Sequence, residues 1–249
     1  MNRRRAIIGP ILLVLILIIG VAILRNIGDV PLPTATARPP AEPASIYLGA
    51  LDDGSSVVGL VVGQVRARAA VCSLDDTRWR ALTRWLDQGT VGTAGGKTTI
   101  TAQNTDTASG QFRLLVQADS VTLPDILSGV YTTPDGAAHP FKTRRLPDGV
   151  REGIYRLADA RLPDGKDSAL LIVILTRVAD TGEGDMCGML VQNDQPISRV
   201  VLKDIWQGGF TNFVLVDIRD KDNKASLMMA PGILGRIDSI ALPTPTSTP

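Results

Sequence analysis

Hydrophobic positions first form one unbroken run near the start of the chain. Residues 6–24 are nineteen consecutive positions without a charged or amide side chain. As an α-helix, a run of this length measures roughly 28 Å, which is close to the hydrocarbon thickness of a bilayer. A lone span must satisfy its own backbone polar groups, and a helix does so. We therefore expect a single transmembrane helix over residues 6–24, with the lipid bilayer as its partner.

Basic residues set the expected orientation of that helix. Residues 3–5 are all Arg, whereas only Arg25 follows the run closely. Positive charge tends to stay on the cytoplasmic side, so residues 1–5 are expected to form a cytoplasmic tip. The competing interpretation is a cleaved signal peptide with a small-residue site at residues 20–22. The apolar run continues past that site and is long for a signal core, which favours an uncleaved anchor. Both interpretations place the main domain outside the cytoplasm.

Two Pro-rich tracts mark the limits of that domain. Residues 25–45 contain five Pro among Thr and Ala, a composition that favours an extended polyproline II linker. Residues 242–249 are a second Pro/Thr tract, which we expect to be a disordered tail. The 196 residues from 46 to 241 remain as an extracytoplasmic domain, long enough for one substantial core or two small ones.

Within the domain, apolar residues recur with a period of two. Residues 57–71 are rich in Val, and apolar and polar positions alternate from residue 64 onwards and again over residues 112–118, which predicts half-buried strands. Residues 170–175 form a continuous apolar run with β-branched members, which predicts a central strand buried on both faces. Further strands are predicted at residues 47–51, 213–218, 226–229 and 232–240.

Three Pro-Asp-Gly tripeptides punctuate the middle of the domain, at residues 134–136, 147–149 and 163–165. Pro presets the first turn position, Asp favours the second, and Gly accepts a positive φ. Each tripeptide is therefore expected to form a β-hairpin turn with a glycine bulge.

The pattern predicts one amphipathic helix in this domain. Residues 73–76 have the form of a capping box, and Gly89 can end the element. Between them, large apolar residues recur at helical spacing: Trp79, Leu82, Trp85 and Leu86. A weaker helical pattern covers residues 123–128. The expected fold is thus mainly β, an antiparallel sandwich or open barrel with one amphipathic helix, preceded by the single N-terminal transmembrane helix.

Charge and cysteine content narrow the function classes. The domain carries 21 Lys and Arg against 23 Asp and Glu, a net charge of −2, and this balance argues against nucleic acid as a partner. The chain has only two cysteines, Cys72 and Cys187. On the oxidising side of a membrane such a pair suggests a disulfide. Two separate buried thiols are the alternative.

Two apparent catalytic motifs are not supported by the residues around them. Residues 92–98 look like a phosphate loop, but the pattern requires Gly where Val91 stands, and residues 98–101 favour a strand over the required helix. His139 is the single histidine, so any His-dependent triad or metal site would have to use it. It follows a predicted turn, which is typical of a surface loop.

Acidic and basic clusters give weak candidates for binding. Asp217, Asp220 and Asp222 place oxygen ligands at spacings that calcium can use, although the EF-hand glycine and distal Glu are missing. A second acidic loop, over residues 180–185, could complete such a site. A charged hairpin turn is the simpler interpretation. The densest basic stretch covers residues 142–156 and is interrupted by two carboxylates, so a solvated strand face is favoured over a lipid-binding patch.

Taken together, these patterns predict a membrane-tethered extracytoplasmic β-rich module without catalytic residues or a cofactor. Its expected role is to bind a protein partner at the membrane or envelope, or to serve as an accessory or structural part of an envelope complex. An envelope hydrolase that acts on glycan or peptide through carboxylates is the alternative. A calcium-stabilised structural domain is a third possibility.

Overall fold

A computed structural model describes residues 41–105, 110–161, 168–178, 184–193, 195–202, 213–219, 225–231 and 235–241. The predicted transmembrane helix, most of the linker and the tail lie outside these residues. Across the described ranges, no helix has the length and apolar character needed to span a bilayer.

The described chain is mainly β, which confirms the predicted fold class at that level. It contains a single short helix, α1, at Trp79–Leu82. The strands in chain order are β1 Ala41–Pro43, β2 Ser45–Leu51, β3 Ser56–Val62, β4 Arg66–Ser73, β5 Arg84–Ala94, β6 Lys97–Gln103, β7 Arg113–Ala118, β8 Ile126–Thr132, β9 Ala138–Arg145, β10 Gly153–Arg161, β11 Ser168–Val178, β12 Gly184–Gln192, β13 Gln195–Leu202, β14 Phe213–Arg219, β15 Ala225–Pro231, β16 Gly235–Arg236 and β17 Ser239–Ala241.

Strands β2 to β9 form a closed antiparallel barrel in which each strand pairs with its chain neighbour. The barrel closes where β2 pairs with β9, with Tyr47 opposite Arg145 and Leu51 opposite Phe141. The expectation of a sandwich or an open barrel is therefore wrong in detail. Closure depends on the register between the first and last strands, and a pattern within single strands does not encode that register.

Strands β10 to β16 form a second, seven-stranded sheet in the order β15-β14-β13-β12-β11-β10-β16. The sheet curls, so that β10 also approaches β15. Strand β11 is an interior strand of this sheet, between β10 and β12, and residues 171–175 are all buried. The continuous apolar run at residues 170–175 thus forms the central strand that its pattern predicts.

The long Val-rich segment 57–71 is two strands rather than one. Strands β3 and β4 pair as a hairpin around a turn at residues 63–65. At Gly63, an added Cβ would overlap the buried Glu42 side chain, so any larger residue there would require Glu42 to move. Residues 57–62 contain no polar side chain and alternation begins only at residue 64, but no Pro or Asn/Asp-Gly pair marks the turn, so the sequence alone does not reveal it.

The predicted amphipathic helix forms over four residues only, and its C-terminal part is a strand. Only Trp79–Leu82 is helical, and Thr83 already has extended backbone angles. Trp85 and Leu86 belong to β5, where they pair with Ala70 and Ala69 of β4. Pairing across the sheet outweighs the helical spacing of the apolar residues. The weaker helical prediction at residues 123–128 is wrong for the same reason, because its last residues begin β8.

The Pro-Asp-Gly turns have different outcomes. Residues 134–136 form the predicted hairpin between β8 and β9, with Gly136 at a φ of 83°. Residues 147–149 instead connect β9 to β10, which belong to different sheets, so the hairpin prediction is wrong there. Residues 163–165 lie outside the described residues.

Two apolar clusters hold the domain together. One fills the barrel interior, and the other lies between the barrel wall and the second sheet. Strand β3 is buried along its full length because its residues alternate between these clusters. A disulfide between Cys72 on β4 and Cys187 on β12, with a Cα–Cα distance of 5.9 Å, links the barrel to the second sheet.

The barrel has two distinct ends. At the end called here the linker end, β2 begins and the connections at residues 63–65, 95–96, 119–125 and 146–149 lie. At the helix end lie α1 and the connections at residues 52–55, 74–83 and 133–137. Strand β1 pairs with β17 beside the linker end, where Glu42 accepts hydrogen bonds from the backbone N–H groups of Val65 and Arg66.

Candidate functional site

The barrel interior is occupied by the protein's own side chains. Tyr47, Leu60, Ile100, Leu114 and Phe141 are among its members, and each is at most 1% exposed. Eight strands enclose a space that such side chains can fill completely. The interior is therefore a packed core, and any binding has to take place on outer surfaces.

The helix end is closed by a connected set of polar and aromatic groups. The Arg84 guanidinium lies 3.9 Å from the Phe112 ring centre and donates to the carbonyl oxygens of Arg80 and Thr83. The buried Tyr131 hydroxyl donates to the Leu82 carbonyl oxygen at 2.9 Å. Burial also raises the pKa of Tyr131, so its hydroxyl stays protonated as the donor. These hydrogen bonds close the helix end of the barrel and have a structural role.

The linker end carries a groove of about 560 Å³. It is formed where β8 starts, where β9 ends and where the connection to β10 begins. Its lining combines an apolar strip with four charged residues: Ile126, Leu146 and Pro147 together with Asp125, Arg144, Arg145 and Asp148. Backbone hydrogen bonds fix this geometry, because Arg145 N–H donates to the Asp125 carbonyl and Leu146 N–H donates to the Ile46 carbonyl.

The charges in the groove do not neutralise one another. Within the part of the chain that the structure describes, none of the four charged residues forms an ion pair. Ile126 is 56% exposed beside them. An apolar strip with unpaired charges of both signs can bind a polypeptide segment that supplies the missing partners.

A buried hydroxyl lies next to this groove. Tyr47 is fully buried and its hydroxyl has no hydrogen-bond partner. Burial raises the pKa of Tyr47; the Arg145 charge opposes that shift and the Asp125 charge adds to it. Because Tyr47 pairs with Arg145 across the strands, its side chain projects on the same face as a groove residue.

Exposed apolar residues favour the same end. Among the residues that the structure describes, the exposed large apolar side chains are Val65, Leu74, Val121 and Ile126. Three of them lie at the linker end, and only Leu74 lies at the helix end. Single exposed apolar residues are ordinary on a protein surface, so of these four only Ile126, which lines the groove, bears on binding.

The sequence-predicted metal candidates are not brought together. Asp220 and Asp222 lie outside the described residues, and Asp217 lies on β14 opposite Val201 and Leu227. Of the second acidic loop, Asp185 lies on β12 opposite Arg177. Across the described residues, no three His, Cys, Asp or Glu side chains are grouped so that they could hold a metal ion. The calcium site stays a prediction.

The other candidates take structural positions. The glycines of the apparent phosphate loop form the two-residue turn between β5 and β6, with Gly95 and Gly96 both at positive φ. His139 lies on β9 rather than in a loop, half-buried and 6.3 Å from the Tyr131 ring centre. Neither position provides a reactive constellation.

The basic stretch is partly a solvated strand face, as its pattern indicates. Along β9, exposed Lys142 and Arg144 alternate with buried Phe141 and Thr143. Near its start, this stretch nevertheless contributes Arg144 and Arg145 to the groove, which the sequence did not indicate. The apolar strip was missed as well, and its one local signal was the Pro-Asp-Gly tripeptide that takes the chain from one sheet to the other.

Comparison with known proteins gives no assignment for this arrangement. No family model matches the chain, and neither a curated protein nor a solved structure is significantly similar to it.

Proposed function

We propose that this protein is a membrane-anchored module that acts outside the cytoplasm by binding a partner protein through the groove at the linker end. The observation that carries the proposal is the contrast between a barrel interior filled by its own side chains and an outer groove with unpaired charges. The anchor rests on the apolar run at residues 6–24 and the Arg residues that precede it.

The mixed lining of the groove supports a polypeptide partner. Ile126, Leu146 and Pro147 offer an apolar surface for a side chain, and the flanking Arg and Asp residues can fix its orientation. The balanced charge of the domain also removes the uniform positive field that nucleic-acid binding requires. Binding in an accessory or structural role follows from this surface without any chemical step.

Site-specific photo-crosslinking in native membranes tests this proposal. A photoreactive amino acid is placed at Ile126 in the groove and, as the matched control, at Leu74 at the helix end. We expect a discrete protein adduct from position 126 that is absent from position 74. The double charge reversal Arg144→Glu and Arg145→Glu should weaken the adduct. Identical adduct patterns from both positions would contradict a groove-specific partner.

Membrane anchoring has its own test. The full-length protein should stay in the membrane pellet after an alkaline carbonate wash, and deletion of residues 6–24 should release it. Recovery of the intact protein in the soluble cytoplasmic fraction would remove both the anchor and the proposed compartment.

An envelope hydrolase is the second candidate, because two carboxylates, Asp125 and Asp148, line the same groove. A carboxylate pair can act as general acid and as base or nucleophile on a glycosidic bond. The purified protein would then degrade cell-wall glycan, and Asp125→Asn or Asp148→Asn would abolish that activity. Degradation that persists in both variants would exclude this pair as the catalytic groups.

A further inference from the structure

The second sheet covers only half of the outer wall of the barrel. Strands β2 to β5 contribute Leu48, Val57 and Trp85, among others, to the apolar cluster under that sheet. Among the described residues, strands β6 to β9 contribute no member to this cluster, and every outward side chain on them is half-buried or exposed. The outward face of these four strands is therefore uncovered and is called here the free wall.

The strands of the free wall carry positive charge without any carboxylate. They contain no Asp or Glu, and their basic residues are Lys97, Arg113, Lys142, Arg144 and Arg145. Asp119, just after β7, pairs with Lys97 at 2.8 Å. Within the described ranges, none of the other basic residues of these strands forms an ion pair. Uncompensated positive charge is thus concentrated on one face of a domain whose net charge is −2.

A row of apolar side chains crosses the middle of the free wall. Leu115 on β7 pairs with Val130 on β8, which in turn pairs with Pro140 on β9. Leu115 and Val130 are half-buried, and Pro140 is exposed. Arg113 lies two residues before Leu115, and Lys142 lies two residues after Pro140. Because β7 and β9 run in the same direction, these two cations lie on opposite sides of the row, each roughly 7 Å from it along its strand.

The free wall is continuous with the groove at the linker end. Ile126 and Arg144, which line the groove, are a cross-strand pair of β8 and β9. The next outward pair of these strands is Ser128 with Lys142, and the apolar row follows it. A segment that leaves the groove along β8 therefore passes Lys142 before it reaches the apolar row.

We propose that the partner bound in the groove is an acidic polypeptide segment that continues onto the free wall, with an apolar side chain over the apolar row and carboxylates against Arg113 and Lys142. This inference rests on the proposed function and names the chemistry of its partner. Exposed cations without partners attract a segment of complementary charge and set its register. The apolar row adds burial of apolar area, which favours a polypeptide over an anionic polymer without apolar side chains.

Photo-crosslinking of the full-length protein in native membranes, followed by peptide mapping, tests this inference. A photoreactive amino acid is placed at the exposed Ser128 on the free wall, at Ile126 in the groove and, as the control, at Leu74 at the helix end. We expect positions 128 and 126 to give adducts with the same protein and position 74 to give none. Mass spectrometry of the adduct at position 128 should identify an attached segment with Asp or Glu on both sides of an apolar residue.

The outcomes separate this inference from the proposed function. Absence of a protein adduct at both 126 and 128 overturns the groove as a binding site and the extension together. An adduct at position 126 alone overturns the extension onto the free wall and leaves the groove as the binding site. An attached segment without acidic residues, or an anionic polymer attached in place of a protein, overturns the acidic polypeptide as the partner.

Charge substitutions test the two cations directly, with the photoreactive amino acid kept at position 126. Arg113→Glu and Lys142→Glu should each lower the adduct yield about threefold or more, because each replaces an attraction by a repulsion. Arg80→Glu, at an exposed Arg near the helix end, is the matched control and should leave the yield unchanged. The charge-conserving variants Arg113→Lys and Lys142→Arg should retain the yield, which excludes loss of the fold as the cause. An unchanged yield in both Glu variants would show that the cations of the free wall do not contact the partner.

Discussion

The two ends of the barrel differ in how their charged side chains are placed. At the helix end, Arg84 and Tyr131 are buried and bonded to backbone carbonyls. At the linker end, the Tyr47 hydroxyl is buried without a partner, and Arg144 is exposed in a groove whose charges are unpaired. The helix end also has a buried group without a hydrogen-bond partner, the Trp79 indole N–H, so unbonded groups do not distinguish the ends. The charges do, because a buried charge bonded to backbone stabilises the fold, whereas exposed charges without a partner are available for binding.

Removal of the disulfide should cause the largest loss in the free energy of unfolding. The bond lies near the helix end of the barrel and holds that end to the second sheet. Cys72 and Cys187 are 115 residues apart, and in the chain-entropy model closure of such a loop stabilises by about 4–5 kcal/mol. The double variant Cys72→Ala and Cys187→Ala should lose up to this free energy of unfolding in urea titrations. Reductant added to the unmodified protein should reproduce the loss, and an unchanged midpoint in both experiments would refute the linkage.

Arg84→Met should be the next most damaging change. The substitution removes two hydrogen bonds to carbonyl oxygens and the contact with the Phe112 ring, and a loss of about 2–4 kcal/mol is expected. Arg144→Met at the linker end is the matched control, and its effect should stay within about 0.5 kcal/mol. Equal destabilisation by both substitutions, measured by urea unfolding, would remove the distinction between the ends.

Two Tyr→Phe substitutions compare the same two ends, with smaller expected changes in the free energy of unfolding. Tyr131→Phe leaves the Leu82 carbonyl without its buried donor and should cost about 1–2 kcal/mol. Tyr47→Phe removes a hydroxyl that has no partner, so stability should be unchanged or slightly higher. Thermal unfolding of both variants measures the difference, and a destabilised Tyr47→Phe variant would indicate that this hydroxyl is bonded after all.

The smallest expected effect is a pH dependence at the helix end. Hydrogen bonds from Ser55, together with Arg78, lower the pKa of Asp53 from 3.8 to about 2. A lowered pKa stabilises the fold above the unfolded value, and this contribution disappears as the pH falls from about 4 towards 2. The Asp53 side chain is 44% exposed, so the contribution should stay below about 1 kcal/mol.

Carboxyl NMR titration measures the Asp53 pKa directly. Asp53→Asn should flatten the acid limb of the stability profile by the same small amount, whereas Asp125→Asn at the linker end serves as the comparison. An Asp53 carboxyl that titrates near 3.8 would show that the turn bonds do not persist in solution.

Local patterns predicted the parts of the fold that depend on one strand at a time. Alternation placed β7, a continuous apolar run placed β11, and a Pro-Asp-Gly tripeptide placed the turn between β8 and β9. Closure of the barrel escaped prediction because it depends on the pairing of β2 with β9, two segments about ninety residues apart. Helical spacing around Trp85 misled because cross-strand pairing with β4 outweighs it.

The candidate groove could not be predicted from the sequence for a related reason. Asp125 and Ile126 lie at the start of β8. Arg144 and Arg145 end β9, and Asp148 lies in the connection that follows it. Their proximity follows from the pairing of β8 with β9, and neither segment carries a catalytic or metal-binding spacing. Residues that lie in a groove only after pairing have no local signature.

Pairing of β1 with β17 has a practical consequence for protein engineering. Ala41 lies directly opposite Ala241 in an antiparallel register, so the chain leaves the domain on both sides from one place. Antiparallel partners are about 5 Å apart, a gap that a few glycines can bridge. The order of the strands can therefore be circularly permuted, with the old ends joined and new ones cut at the Pro134–Gly136 turn, without a change to any pairing in the barrel.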